Sequence, residues 1–256
     1  MDLNLRGKVA VVTGGTGGIG AAVMKALRDE GAHPVSVSNT EPTERVPGAE
    51  YINGDITDRG AVLGAVSEIK ESMGKVDILV NAAGIEEYAP VHLTDEAMFR
   101  RVMDVNVTGA FLMIREVLPL MEQGVIINVA SVQSFSATRN AAAYVTSKHA
   151  LLGLTRSVAL DYGPRIRCLA VCPGTVDTPL VRKAAVLEVG NSEDRVAEKI
   201  SEWGRAHLTG RIGRPEEVGK VIAFLCSDAA SFMTGSAVMV DGGLLSYIPI
   251  STPEVR

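Results

Sequence analysis

Short apolar runs alternate with longer amphipathic stretches along most of the chain. Residues 8–13 (KVAVVT) are valine-rich and apolar on both faces, which predicts a buried strand. A helical pattern follows over residues 21–30 and stops at Gly31. Further strands are predicted over 34–37, 50–52, 76–80, 125–130, 166–171 and 236–240. Thr57 or Asp58 is an N-cap candidate for a helix ending near Gly74. Thr94-Asp95-Glu96 opens a long helix with acids in its first turn. Another helix is predicted over 144–162, and Arg214-Pro215-Glu216-Glu217 opens one with proline at its first position. No linker, repeat or low-complexity segment interrupts residues 8–243, so the alternation predicts a single domain around one doubly wound parallel sheet. Residues 179–210 are charged and mostly helical, and are expected to form a lid insertion; an ordinary surface hairpin is the plainer alternative. Residues 244–256 are expected to be a C-terminal tail, with two prolines and no periodicity.

Composition narrows the function. Of 256 residues, 46% are hydrophobic, enough for a substantial core. The net charge of −5 is spread without a basic tract, which argues against nucleic acid or an anionic membrane as partner. No signal peptide or spanning segment is expected. Cys168, Cys172 and Cys226 are odd in number, lack C-x-x-C spacing and sit in apolar contexts. They read as buried free thiols in a cytoplasmic protein. The four histidines have no metal-site spacing, so no metal is expected.

The candidate chemistry lies where strands end. The first strand enters Gly14-Gly15-Thr16-Gly17-Gly18-Ile19-Gly20 and then a helix. Strand, glycine turn and helix make a phosphate-binding context, because backbone N–H groups and the positive helix end face an anion. A glycine turn alone is also compatible with a tight connection. The second strand ends in Ser38-Asn39-Thr40, neither acid nor base. An acid there would favour NAD and a nearby arginine NADP. Neutral hydrogen-bonding groups predict use of both, leaning to NADP. Asp55 is a candidate for helix capping or for an adenine amino group. Asn81-Ala82-Ala83-Gly84 leaves small residues at a strand end, where a flat ligand can approach. Asn106, inside a helix, is evenly balanced between an exposed position and a functional one that breaks the backbone ladder and holds a water.

Tyr144 and Lys148 stand one helical turn apart on one face. Most such pairs are solvated surface. Here Ser131 also follows a predicted strand, and its hydroxyl is suited to hold a substrate oxygen against Tyr144. A lysine ammonium beside the phenol is expected to draw its pKa down from near 10 toward the working range. Such a group moves a proton to or from a carbinol oxygen.

Together these motifs resemble those of the short-chain dehydrogenase/reductases. The T-G-x-x-x-G-x-G turn is Thr13 to Gly20, the N-A-A-G segment Asn81 to Gly84, the Asn-Ser-Tyr-Lys tetrad Asn106, Ser131, Tyr144 and Lys148, and the P-G-x-x-x-T loop Pro173 to Thr178. The resemblance implies a seven-stranded Rossmann sheet, an NAD(P) cofactor and a homotetramer. It makes Tyr144 the general acid/base and has Lys148 lower its pKa and bind the nicotinamide ribose. Ser131 positions the substrate oxygen, and Asn106 holds a relay water. It implies cofactor contacts at Gly14, Thr16, Gly17, Gly18, Ile19, Ser38, Asn39, Asp55, Ile56, Asn81, Ala82, Gly84, Pro173, Gly174, Val176 and Thr178, besides Tyr144 and Lys148. Ser38 departs from the aspartate common in NAD-preferring members.

The stretches SVQ (131–133), NAAAYVTSKHA (140–150), DTPLVRKAAVLEVG (177–190), KISEWG (199–204) and PISTPE (249–254) look like the archaeal D-aldohexose dehydrogenase subgroup. That likeness implies oxidation of the C1 hydroxyl of a pyranose such as D-mannose or D-glucose to the lactone. Glu86, Ser131, Gln133, Asn140 and Tyr144 are the expected polar contacts to the sugar. Trp203 is expected either to stack on it or to anchor the insertion. The tail is expected to pack, with a subunit boundary as one place for it; a disordered end is the plainer alternative. Reduction of a 3-oxoacyl group or another ketone on the same fold is the alternative chemistry.

Overall fold

The computed structural model describes residues 3–246. Among them, seven parallel strands form one sheet in the order β3-β2-β1-β4-β5-β6-β7. They are β1 (Val9–Thr13), β2 (His33–Ser38), β3 (Glu50–Asn53), β4 (Ile78–Asn81), β5 (Gly124–Val129), β6 (Ile166–Pro173) and β7 (Ala237–Val240). The expected single-domain Rossmann architecture is therefore present. Strand order reverses between β1 and β4, and a crevice opens beyond their carboxyl ends at that point.

Alternation along each strand builds a core on both faces. Ala10, Val12, Ile78, Val80, Ile127 and Leu169 face α1 (Gly18–Asp29) and α8 (Pro215–Cys226). Val11, Val35, Leu79 and Ile126 face α2 (Arg59–Met73), α4 (Gly109–Val117) and α5 (Ala142–Tyr162). Each fully buried Leu or Ile side chain contributes roughly 1.5–3 kcal/mol relative to exposure.

Helix boundaries differ from the pattern where backbone contacts override it. The first helix begins at Gly18 rather than 21, because the glycine turn winds directly into it. A Cβ at Gly20 would stand 2.1 Å from the Gly14 carbonyl oxygen, so only glycine fits. The helix opened by Asp95 runs as α3 (Glu96–Met103), then a wider i→i+5 turn over Asp104–Thr108, then α4. Asn106 lies in that wide turn, so the ladder is broken where its polar side chain is buried. The insertion is a hairpin of α6 (Pro179–Val189) and α7 (Glu193–Arg205), turning at Gly190 with φ 81°. The tail beyond residue 246 lies outside the described residues. No described helix is long and apolar enough to cross a membrane.

Candidate active site

Two adjoining cavities occupy the crevice. The first, about 780 Å³, is lined by Gly14, Thr16, Gly17, Gly18 and Ile19 of the glycine turn, by Ser38 and Asn39 at the tip of β2, and by Asp55 and Ile56 after β3. Ala82, Gly84 and Thr178 line it as well, and Ile19, Ala82, Gly84 and Thr178 are shared with the second cavity. Helix α1 points its N-terminus into this space with no side chain capping it. A Cβ on Gly14 would meet Ala83 Cα at 2.9 Å, so the two strand ends approach as closely as backbone allows. The uncapped helix end, close backbone and elongated crevice fit a nicotinamide dinucleotide.

Thr13 makes this approach possible and was legible in the sequence only as the start of the glycine motif. Its Oγ1 accepts from the N–H groups of Ala82 (3.1 Å) and Ala83 (3.2 Å), bending the chain after β4 across the end of β1. At the tip of β2 three hydroxyls form a triangle. Thr16 Oγ1 lies 3.0 Å from Ser38 Oγ and 2.8 Å from Thr40 Oγ1, and the last two are 3.1 Å apart. Asp55 turns inward on itself: its carboxylate accepts from Thr57 N–H (2.9 Å) and Thr57 Oγ1 (2.8 Å), and these bonds hold it below the usual aspartate range. It caps its own turn, while Asp58 caps α2 through Ala61 N–H.

Asn81 is buried at the end of β4, and its Nδ2 donates to Asn128 Oδ1 (2.9 Å). Asn128 donates in turn to Thr155 Oγ1 of α5 (2.9 Å). The Asn81 side chain thus belongs to a polar chain tying β4 to the helix that carries Tyr144.

The second cavity, about 870 Å³, gathers Ser131, Tyr144 and Lys148 with Pro173, Gly174, Val176 and Thr178. Ser131 lies just beyond β5 and starts a tight turn, accepting from Gln133 N–H at 3.1 Å. Tyr144 is buried in the first turn of α5 and lines the cavity with Ser131. Lys148 Nζ donates to the Val129 carbonyl (2.8 Å) and lies over the Tyr144 ring, 5.4 Å from its centroid.

Asn106 lines neither cavity. Its Oδ1 accepts from Ile85 N–H (2.8 Å), and its Nδ2 donates to the Ile85 carbonyl (2.9 Å) and to Ser147 Oγ (2.9 Å). Ser147 donates to the Tyr144 carbonyl (2.7 Å), and Ser134 donates to the Lys148 carbonyl (2.7 Å). These two serines fix the backbone beneath the reacting side chains. A serine inside a helix beside Lys148 was the available signal for Ser147.

The electrostatics revise one expectation. Tyr144 is held above, not below, its ordinary range, by burial first and by the Glu86 carboxylate second, with the Ser131 hydrogen bond opposing. Lys148 sits over the ring and spends a proton on Val129, so its charge does not draw the phenol down. Burial pulls Lys148 itself down to about 8, against the Glu86 carboxylate, which raises it. Glu86 is raised too, by burial, with Tyr88, Lys148 and Gln133 lowering it in part. Its Oε1 is buried without a hydrogen-bond partner among the described residues.

The expected polar substrate residues share this cavity. Glu86, Gln133, Asn140 and Trp203 all line it. Asn140 stands at the rim with φ 61°, and its carbonyl accepts from Ala89 N–H (2.7 Å), which pins the loop carrying Glu86 against the start of α5. The hairpin contributes Leu180, Val181, Ala184, Leu187 and Glu188 as well as Trp203. No group of three or more His, Cys, Asp or Glu suited to a metal occurs among the described residues.

A crevice at the switch point beside a buried Ser, Tyr and Lys defines a nucleotide-dependent oxidoreductase site. A family model described as enoyl-(acyl carrier protein) reductase matches residues 14–245. The aldohexose dehydrogenase of Thermoplasma acidophilum in ligand-free form is 46% identical, with a TM-score of 0.96, covering 99% of this chain and 100% of that one. The 2-(R)-hydroxypropyl-CoM dehydrogenase of Xanthobacter autotrophicus is 37% identical, covering 92% of this chain and 97% of its own. The L-sorbose reductase of Gluconobacter frateurii, complexed with NADPH and L-sorbose, is 27% identical with a TM-score of 0.88, covering 97% of this chain and 100% of that one. The chain belongs to the short-chain dehydrogenase/reductase family. It is an NAD(P)-dependent oxidoreductase of that family, structurally close to aldohexose dehydrogenase.

Proposed function

We propose that the protein oxidises the C1 hydroxyl of an aldopyranose of the D-mannose or D-glucose type to the lactone. The observation that carries this reading is Glu86: a half-buried carboxylate whose Oε1 is buried and unpartnered among the described residues, in the cavity that also holds Tyr144 and Ser131. A buried acceptor of this kind is costly unless a ligand hydroxyl satisfies it. Adjacent hydroxyls on a pyranose ring present such donors, whereas an acyl chain presents none. The 46% likeness to an aldohexose dehydrogenase supports the same reading.

In this scheme Ser131 orients the C1 oxygen and Tyr144 takes its proton. Lys148, over the Tyr144 ring and donating to the Val129 carbonyl, holds the phenol in place. Asn106 fixes the turn from which a relay water is held. The nicotinamide supplies the acceptor for the hydride that leaves C1. Loss of one hydride from C1 and one proton from its oxygen gives the lactone. Either nucleotide is accepted, with NADP favoured, because the Thr16–Ser38–Thr40 hydroxyls offer hydrogen bonds to a 2′-phosphate. The α6–α7 hairpin acts as a lid over the sugar, and the subunits assemble as a homotetramer in the cytoplasm.

Aldose deuterated at C1 tests the reaction. The deuterium is expected on the reduced nicotinamide, with the lactone as product. Turnover of the aldose without deuterium transfer would contradict the scheme.

A further inference from the structure

His207 follows the end of α7 and is buried, 4% exposed, against the floor of the second cavity. It lies four residues past Trp203 and touches two of the segments that shape the site. Its Nε2 accepts from the backbone N–H of Thr175 (3.2 Å), in the loop between Pro173 and Thr178. Because Nε2 accepts there, the ring proton sits on Nδ1, which donates to the Trp203 carbonyl (3.0 Å). The fit is close on all sides. A Cβ on Gly174 would stand 2.9 Å from Nε2, and a Cβ on Gly242 would stand 3.5 Å from the His207 Cβ. The loop is tied a second time beyond the hairpin, by Gly213 N–H to the Thr175 carbonyl (2.8 Å) and Asp177 N–H to the Gly213 carbonyl (2.9 Å).

We infer that His207 is a positioning residue that docks α7, and with it Trp203, onto the loop lining the reacting centre. One ring nitrogen holds the hairpin and the other holds the floor. Neither bond alone couples the two segments. The imidazole supplies a donor and an acceptor about two ångströms apart on a rigid plane, and no aliphatic side chain can replace both. The consequence is geometric: the indole of Trp203 and the backbone of Thr175 move together, so the cavity wall keeps its shape when substrate enters.

Two isosteres separate the contacts. His207→Gln places an amide oxygen near the Nε2 position and keeps the acceptor for Thr175. His207→Asn places an amide nitrogen near Nδ1 and keeps only the donor to Trp203. Trp203 is the sole tryptophan of the chain, so its fluorescence reports the docking directly. Acrylamide quenching of the whole protein, without substrate, is expected to rise about twofold in His207→Asn and to stay at the parent level in His207→Gln. This arm is independent of which substrate the enzyme takes. The second arm rests on the aldose reading. The KM for the aldose is expected to rise about five- to tenfold in His207→Asn with kcat changed by less than about twofold, as for loss of one ordering hydrogen bond, and to be restored in His207→Gln. Equal quenching in all three proteins would overturn the proposal. So would an increase shared by both variants, or a His207→Asn protein that fails to fold, since either marks a general stability role. Absent aldose turnover in the parent would count against the substrate reading and leave the quenching result to decide this one.

Discussion

Asn106 grips the backbone of Ile85 with both ends of its amide, accepting from the Ile85 N–H at 2.8 Å and donating to its carbonyl at 2.9 Å. The neighbour of Ile85 is Glu86, so the wide turn in the helix and the carboxylate in the cavity are joined by one clamp. Asn106→Ala is expected to leave two buried backbone groups unpaired and to cost about 1–3 kcal/mol of stability for each. Thermal unfolding of the variant checks the loss. Asn106→Asp keeps the acceptor but sets a buried carboxylate oxygen against the Ile85 carbonyl, and is expected to be at least as unstable as Asn106→Ala.

Replacing Tyr144 by phenylalanine removes the proton acceptor and leaves the packing nearly unchanged. Oxidation is expected to fall by about 10²–10⁴-fold. Nucleotide binding, followed by fluorescence of the reduced cofactor, is expected to stay within about threefold of the parent, because the glycine turn and the β2 tip carry most of that contact.

Glu86→Gln tests the carboxylate in two ways. The KM for the aldose is expected to rise about tenfold, equivalent to one charged hydrogen bond. The pH profile is expected to move as well. Burial and then the Glu86 charge hold Tyr144 up, so removing that charge lets the phenol ionise at lower pH. The rise of oxidation rate with pH therefore shifts toward neutrality in the variant. A profile that moves the other way, or not at all, would show that Glu86 does not act on Tyr144.

Lys148 is buried, and its pKa is pulled down to about 8, from an ordinary value near 10.4. Between these values the unfolded chain binds more protons than the folded one, so this group's contribution to stability rises with pH across that window. Below about 8 the cost of burying the charge is present in full. Lys148→Met removes that titration. Its thermal stability relative to the parent is expected to be most favourable below pH 8 and to decline toward pH ~10.4, while activity is lost throughout. Paired melting curves across the range check the sign.

At the tip of β2, Ser38→Asp puts a carboxylate beside Thr16 and Thr40. It is expected to weaken use of NADP at least about tenfold and to spare or improve use of NAD. Steady-state kinetics with both nucleotides read the ratio directly.

The sheet was legible because its central strands are apolar runs of the right length bounded by turn residues, as in β1 and β5. Tyr144 and Lys148 were legible because i,i+4 spacing on a helix places two side chains together. The sense of their interaction was not. A one-dimensional spacing does not say that the ammonium lies over the ring and donates to Val129, nor that Glu86 approaches from a loop some sixty residues away. The bond from Asn81 to Asn128 was not legible either: the strand end lies at the crevice, but strand alternation turns that side chain inward. His207 carried no pattern, and Thr13 was legible only as the start of the glycine motif, because their roles consist of bonds to backbone groups from distant segments.

The central claim is tested most directly by mixing the purified protein with D-mannose, D-glucose, L-rhamnose and D-fucose in turn, with NAD or NADP, and following reduced nicotinamide. Turnover of a D-mannose or D-glucose type aldose, faster with NADP than with NAD, is the predicted result. No reduction with any aldose, beside rapid reduction of a short 3-oxoacyl thioester, would contradict it.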